Sequence, residues 1–161
     1  SQIGIPYDNV DNEFLINPKK WDTKGISRFM KIMGITSSLI DVLSFIIFWY
    51  LLGYNDVSKQ AYFQTAWFVT CLVSELMIIY NVRTSKKGIH FLDASPILNN
   101  LTTLSLILTI LSPIILCNIK SFNFRILPPI FYLYLLLLVI VYFIIVSIIK
   151  RIYIKKYDEW L

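Results

Sequence analysis

Charge is what this sequence most conspicuously lacks. Residues 94–119 and 126–149 contain no Asp, Glu, Lys, Arg or His, and two further apolar runs carry one acid each, Asp41 within 32–55 and Glu75 within 60–82. Glycine is scarce as well: none of the five glycines belongs to a phosphate-cradling loop, which leaves no local signature of nucleotide binding. The two cysteines, Cys71 and Cys117, sit in apolar runs without metal-ligand spacing, so they read as packing residues and imply no disulfide. The single histidine, His90, falls in a connecting loop and reads as a surface residue. Polar residues are too few to cover a soluble domain, with 57% of the chain hydrophobic and a mean hydropathy of +0.65.

What is present fits a membrane. A helix needs about 20 apolar residues to cross the hydrocarbon core, and all four runs reach that length. The expected fold class is all-α, an integral membrane bundle of four transmembrane helices. The expected organisation is a linker arm over 1–28 and a four-helix domain over 29–161, with spans near 29–52, 62–82, 96–117 and 128–149. These elements occupy nearly the whole chain, and its opening at Ser1 without a signal-peptide pattern reads as a piece of something longer.

The net charge of +5 follows topology rather than a nucleic-acid footprint. Twelve of the fifteen basic residues flank one side of the spans: Lys19, Lys20, Lys24, Arg28 and Lys31, then Arg83, Lys86 and Lys87, then Lys150, Arg151, Lys155 and Lys156. Only Lys59, Lys120 and Arg125 flank the other. The positive-inside rule places both termini in the cytoplasm of a multi-pass protein, and the expected partner is the lipid bilayer, not nucleic acid. Trp49, Tyr50, Tyr62 and Trp67 fall where an outer aromatic belt belongs, and Tyr153, Tyr157 and Trp160 form an interfacial tail.

Local punctuation divides the rest. Pro6 and Pro18 interrupt any long helix in the arm, and Gly25 marks a further joint. Gly53, Asn55 and Asp56 make an outer turn, and Gly88 helps close span two. Pro96 suits the first turn of span three, and Pro113 is expected to kink or end it. Asn99, Asn100, Thr102, Thr103, Ser105 and Thr109 offer that span interhelical hydrogen bonds. Span four begins at Pro128-Pro129, and its apolar faces suit contact with lipid.

The two intramembrane acids are the candidate functional residues. Burying a carboxylate at mid-span costs about 2.5–3.5 kcal/mol on insertion scales, tolerated when the group pairs, binds a cation, is protonated or faces a protein interior. Glu75 lies eight residues before Arg83, about 12 Å deep at 1.5 Å per residue. It reads either as a cation ligand or proton site, or as a protonated carboxyl bonded to another helix. Asp41 has Ser37, Ser38 and Ser44 on its side of the helix, which can satisfy it without a cation, while direct ion contact is the alternative. One acid from each of two neighbouring helices can contribute to a hard-cation site whose other oxygen ligands come from elsewhere.

Several blocks resemble a known family. Ile5-Pro-Tyr-Asp-Asn-Val-Asp11, Arg28-Phe-Met30, Gly34-x-x-Ser-Ser-x-x-Asp41, Phe63-Gln-Thr-Ala-Trp-Phe-Val69 and Val82-Arg-Thr84 closely resemble the C-terminal membrane region of bacterial magnesium-translocating P-type ATPases. The ending Arg151-Ile-Tyr-Ile-Lys-Lys-Tyr157 is similar too. The resemblance implies that the four spans correspond to membrane helices seven to ten, with residues 1–28 as the cytoplasmic link from the sixth. It implies a parent pump in the bacterial inner membrane that spends ATP, through an aspartyl-phosphate, to drive Mg²⁺ into the cytoplasm. The partners it implies are the first six helices, the cytoplasmic domains and the transported divalent cation. The phosphorylation motif Asp-Lys-Thr-Gly-Thr does not occur in this sequence, so no catalytic residue and no cofactor is expected here. Glu75 and Asp41 are the expected contacts of the transported cation. Two departures stand out: the family usually has Pro where Ile35 stands, and Ser-Gln where Ser74-Glu75 stands. In related calcium and sodium pumps the same region carries an acid or amide near the ions. A pump for another cation such as Ca²⁺, and a non-enzymatic four-helix scaffold, are the alternatives.

Overall fold

The computed structural model describes residues 2–11, 15–16, 22–84, 93–119 and 121–157. The readings of Pro18, Lys19, Lys20, Lys86, Lys87, Gly88, His90, Lys120 and Trp160 lie outside them. Among the described residues the fold is all-helical. A 3-10 helix, Gln2–Tyr7, precedes four long helices: α1 (Thr23–Ile46), α2 (Gln60–Val82), α3 (Pro96–Leu116) and α4 (Pro129–Tyr157). All four are long and apolar enough to cross a membrane. The chain is a multi-pass membrane segment.

The helix ends follow from single side chains. Asp22 caps α1, its carboxylate accepting from the Lys24 and Gly25 amides at 3.0 and 2.9 Å. Gly25, expected at a joint, therefore lies in the first turn of α1. At its far end α1 widens into a π turn, Ile47–Leu51, closed by the Leu52 amide on the Ile47 carbonyl at 3.0 Å. Gly53 then reverses the chain at φ +64°, a conformation that favours glycine. Asp56 caps the short 3-10 helix Val57–Lys59 that leads into α2.

Ser95 caps α3 by accepting from the Leu98 amide at 3.2 Å, and Pro96 occupies the first turn. Pro113 lies inside α3, which runs three residues further. A proline cannot donate to the carbonyl four residues earlier, here that of Thr109. The Ser112 hydroxyl supplies the missing donor, at 2.7 Å from the Thr109 oxygen. Among the polar atoms of α3, Thr102 Oγ1 is buried without a partner, and Asn99 Nδ2 donates to the Ala94 carbonyl at 3.5 Å.

The buried stripe of α1 is Phe29, Met33, Thr36, Ile40 and Ser44, and that of α4 is Phe131, Leu135, Leu138, Tyr142, Val146, Lys150 and Tyr153. Both repeat every three or four residues, the spacing of one helix face. They meet in a cluster of Phe29, Met33 and Ile40 with Leu138, Tyr142 and Val146. A second cluster joins Phe48, Val69, Val73, Phe131 and Leu135 where the aromatic rings gather. The Phe63 and Trp67 rings stack there at 6.1 Å, with Phe45 edge-on to Phe63 at 5.1 Å. Helix α2 contacts α1, α3 and α4, whereas α3 packs on α2 and on the 3-10 helix of the arm. On their outer faces α3 and α4 expose residues such as Leu104, Ile107, Leu136 and Ile140, as lipid contact requires.

Candidate functional site

The two acids sit on different helices, and Asp41 does not line the groove onto which Glu75 opens. Asp41 is half-buried on α1, and Glu75 is exposed on α2. Both lie close enough to Cys71 and to Tyr142 to act on them electrostatically. Of the serines expected to satisfy Asp41, Ser44 is buried and donates to the Ile40 carbonyl of its own helix at 2.8 Å, and Ser37 is half-buried. Ser38 is exposed.

Glu75 opens onto a groove of about 960 Å³. One wall is Leu72, Leu76, Ile78 and Ile79 of α2, another is Ser105 and Thr109 of α3, and the arm closes it with Ile3, Ile5 and Pro6. No residue of α4 lines it. The carboxylate and two hydroxyls are thus the hard oxygen donors on an otherwise apolar wall. Among the described residues, no three His, Cys, Asp or Glu side chains converge as a metal-binding group.

A second polar assembly lies where the arm meets the end of α2. The Asp8 carboxylate accepts from Arg83 Nε, from Arg83 Nη2 at 3.0 Å and from the Ser95 amide at 2.9 Å. One acid of the arm therefore ties the end of α2 to the start of α3. Burial works to raise the Asp8 carboxyl, but the hydrogen bonds from Arg83 and Ser95 outweigh it and hold the group below its ordinary value. Arg83 also donates to the Asp93 carbonyl at 3.1 Å, and so does Asn9 at 3.2 Å. Three residues along the arm, Asp11 accepts from the Thr84 hydroxyl at 2.7 Å.

Lys150 completes this assembly from α4. It is 1% exposed, and its ammonium donates to the carbonyls of Asn81 and Thr84 at 2.8 and 2.7 Å. The Asn81 carbonyl belongs to the C-terminal turn of α2, where the helix leaves acceptors unused and where a cation is favoured, and that of Thr84 lies two residues beyond the helix. Asn81 is buried beside it, its amide donating to Ser147 Oγ at 3.4 Å and its Oδ1 left without a partner. Sequence reasoning counts Lys150 among the surface cations that follow span four. The signal that finds it is periodicity, because 142, 146, 150 and 153 continue one helical stripe.

Residues 1–152 match the family model described as "Cation transporting ATPase, C-terminus". The chain belongs to that family. A magnesium-transporting ATPase, P-type 1, of Salmonella typhimurium strain LT2 is 35% identical over 161 residues, covering 99% of this chain and 18% of the relative. Another from the same strain is 29% identical over 158 residues, 98% of this chain and 17% of the relative. One from Escherichia coli strain K12 is 38% identical over 86 residues, 53% of this chain and 10% of the relative. This cation-ATPase segment thus spans less than a fifth of the length of the curated relatives it matches. Its four helices and arm are the membrane portion to which that family model corresponds. The collar of Asp8, Arg83, Ser95, Asp11, Thr84 and Lys150 is the part of that portion with the densest polar contacts.

Proposed function

We propose that this segment is the last membrane portion of an ATP-driven pump that moves Mg²⁺ into the cytoplasm. The likeness to magnesium-transporting ATPases along nearly the whole chain carries the reading. Mg²⁺ is the transported substrate, and ATP is hydrolysed in domains outside residues 1–161. The basic-rich ends of the spans face the cytoplasm of a bacterial cell, with both segment termini on that side and the 53–61 and 118–126 turns outside, as the twelve-to-three basic asymmetry supports. A cysteine at 56 is then labelled from outside and one at 86 from inside, and labelling from the opposite sides reverses the orientation.

Glu75 and Asp41 are proposed contacts of the cation. Glu75 supports this best, as a carboxylate on a groove lined by α2, α3 and the arm and not by α4, and we place further helices of the parent pump against that groove. Those helices supply the remaining oxygen ligands, since two carboxylates do not complete a Mg²⁺ shell. Asp41 acts from the neighbouring helix α1. Full-length protein with Glu75→Gln keeps an oxygen donor and retains Mg²⁺-dependent ATPase activity. Glu75→Leu inserts more easily yet loses activity or ion affinity. Unchanged Mg²⁺ affinity in Glu75→Leu removes Glu75 from the ion path. Assayed across divalent ions, stimulation by Ca²⁺ and not by Mg²⁺ redirects the assignment to a calcium pump.

A further inference from the structure

In hydrocarbon a hydroxyl on a helix has one ready partner, the backbone carbonyl three or four residues before it. Thr36, Ser44 and Thr65 donate to the carbonyls of Ile32, Ile40 and Ala61 at 2.8, 2.8 and 2.7 Å. Ser74 and Ser112 donate to those of Cys71 and Thr109 at 2.8 and 2.7 Å. Ser105 and Thr109 of α3 depart from this pattern. Neither hydroxyl has a hydrogen-bond partner among the described residues, although Ser105 is half-buried and Thr109 only 7% exposed.

Both residues line the groove onto which Glu75 opens. They are four residues apart, so they stand on one face of α3, about 6 Å from each other along its axis. Glu75 borders the same space from α2, and it too has no hydrogen-bond or ion-pair partner among the described residues. The rest of the α2 wall, Leu72, Leu76, Ile78 and Ile79, offers only hydrocarbon side chains. Three oxygen-bearing side chains thus border one space without bonding to each other or to the backbone. A self-satisfied polar cluster closes such bonds, because an unmade one is costly in hydrocarbon. A hard cation, which gathers oxygens from separate elements, holds them apart instead.

We propose that Ser105 and Thr109 are further ligands of the transported cation, which is held between a carboxylate of α2 and two hydroxyls of α3. The assignment rests on the reading of Glu75 as a cation contact. Mg²⁺ takes a near-octahedral set of oxygens at about 2.0–2.1 Å, and these side chains supply part of that set, with water and the other helices of the parent supplying the rest. A hydroxyl oxygen adds a ligand without adding charge. It therefore holds the ion less tightly than a further carboxylate, and a transported ion has to leave as well as enter.

The test uses cells carrying the full-length protein, with uptake of isotopically labelled Mg²⁺ followed as external Mg²⁺ is varied. Internal Mg²⁺ and ATP stay constant, so half-saturation reports on the transported ion and not on the nucleotide. Thr109→Val keeps the shape of the side chain and removes the hydroxyl. It raises the half-saturating Mg²⁺ concentration about tenfold, the size of one lost contact between a neutral oxygen and a charge, as does Ser105→Ala. Thr109→Ser keeps the oxygen and the wild-type value. Thr102→Val deletes a buried, unpartnered hydroxyl of the same helix that does not line the groove, and leaves half-saturation unchanged. Wild-type half-saturation in the Ser105→Ala/Thr109→Val double variant overturns the proposal. A lowered thermal-unfolding midpoint in that variant, with the ion dependence intact, assigns the hydroxyls to contacts with another helix and overturns it equally. Glu75→Leu in the same assay separates the two readings: a shift there without one in the double variant removes only the hydroxyls from the ion path, and a shift in the double variant alone removes only Glu75.

Discussion

Replacing Lys150 with Met is the most direct test of how α2 and α4 are held together. Met keeps the length and the apolar stem of the side chain but deletes the ammonium. The change removes two hydrogen bonds, at 2.8 and 2.7 Å, to the Asn81 carbonyl in the last turn of α2 and the Thr84 carbonyl just past it. Hydrogen bonds to charged groups contribute about 1.5–3 kcal/mol each, and a buried carbonyl left without a donor costs about 1–3 kcal/mol. Against this, the variant no longer desolvates a cation, an offset of several kcal/mol. The expected net loss is about 2–4 kcal/mol, concentrated where Asn81 and Thr84 end α2. At 1.4 kcal/mol per factor of ten, amide exchange through local opening at residues 79–84 speeds up roughly 30- to 1,000-fold. Hydrogen–deuterium exchange on the full-length protein reads this directly. Lys156→Met, which removes an exposed cation two turns further along α4, serves as the control and leaves those amides protected. If Lys150→Met also leaves them protected, the ammonium is not what caps α2.

The remaining expectations concern the arm. The Asp8 carboxyl is held below its usual 3.8, so the stability of the clamp is complete above that value and is lost as pH falls through the lower folded one. A spin label at Ile5→Cys stays immobile at about pH 6 and becomes mobile only in acid, whereas Asp8→Asn mobilises it already at about pH 6; a native label that loosens near neutrality contradicts the assignment to Asp8. Gly4 packs so closely on α3 that an added Cβ meets the Leu98 Cα at 3.2 Å and the Leu101 Cδ1 at 3.3 Å. Gly4→Leu therefore lowers the thermal-unfolding midpoint of the full-length protein, with an overpacking cost of about 1–3 kcal/mol, and Gly4→Ala lowers it less; equal midpoints refute the contact.

The all-helical membrane class was legible because hydrocarbon imposes a coarse rule: long charge-free runs cannot stand elsewhere. Pro96 was legible as a helix start for a similarly local reason, since its fixed φ and missing N–H suit a first turn. Features that depend on two distant segments were not. Asp8 and Arg83 are 75 residues apart, and nothing in the arm's composition distinguishes an acid that bonds Arg83 from one that faces water. Lys150 read as one of the basic residues that follow span four, with Arg151, Lys155 and Lys156; only the continuation of the buried stripe separates it from them. The serines near Asp41 were legible as donors but not as donors to a given acceptor. A hydroxyl mid-helix has a backbone carbonyl within reach on its own helix, and Ser44 takes it. The candidate site was therefore readable as residue types, while the groove around Glu75 required the arm to be placed against α3.

The pairing of Ser112 with Pro113 bears on how this segment varies by descent. Each residue accounts for the other: the proline withdraws a donor from the Thr109 carbonyl, and the preceding hydroxyl restores one. Any other residue at 113 brings its own amide, and the Thr109 carbonyl, with two lone pairs, can accept from it as well as from Ser112, as the Ile40 carbonyl accepts from Ser44 within α1. Alanine at 112 beside an intact proline leaves that acceptor in hydrocarbon with nothing to bind. The order of replacement therefore matters at this pair: with the proline replaced first the acceptor keeps a donor throughout, and with the serine replaced first it loses the one it has.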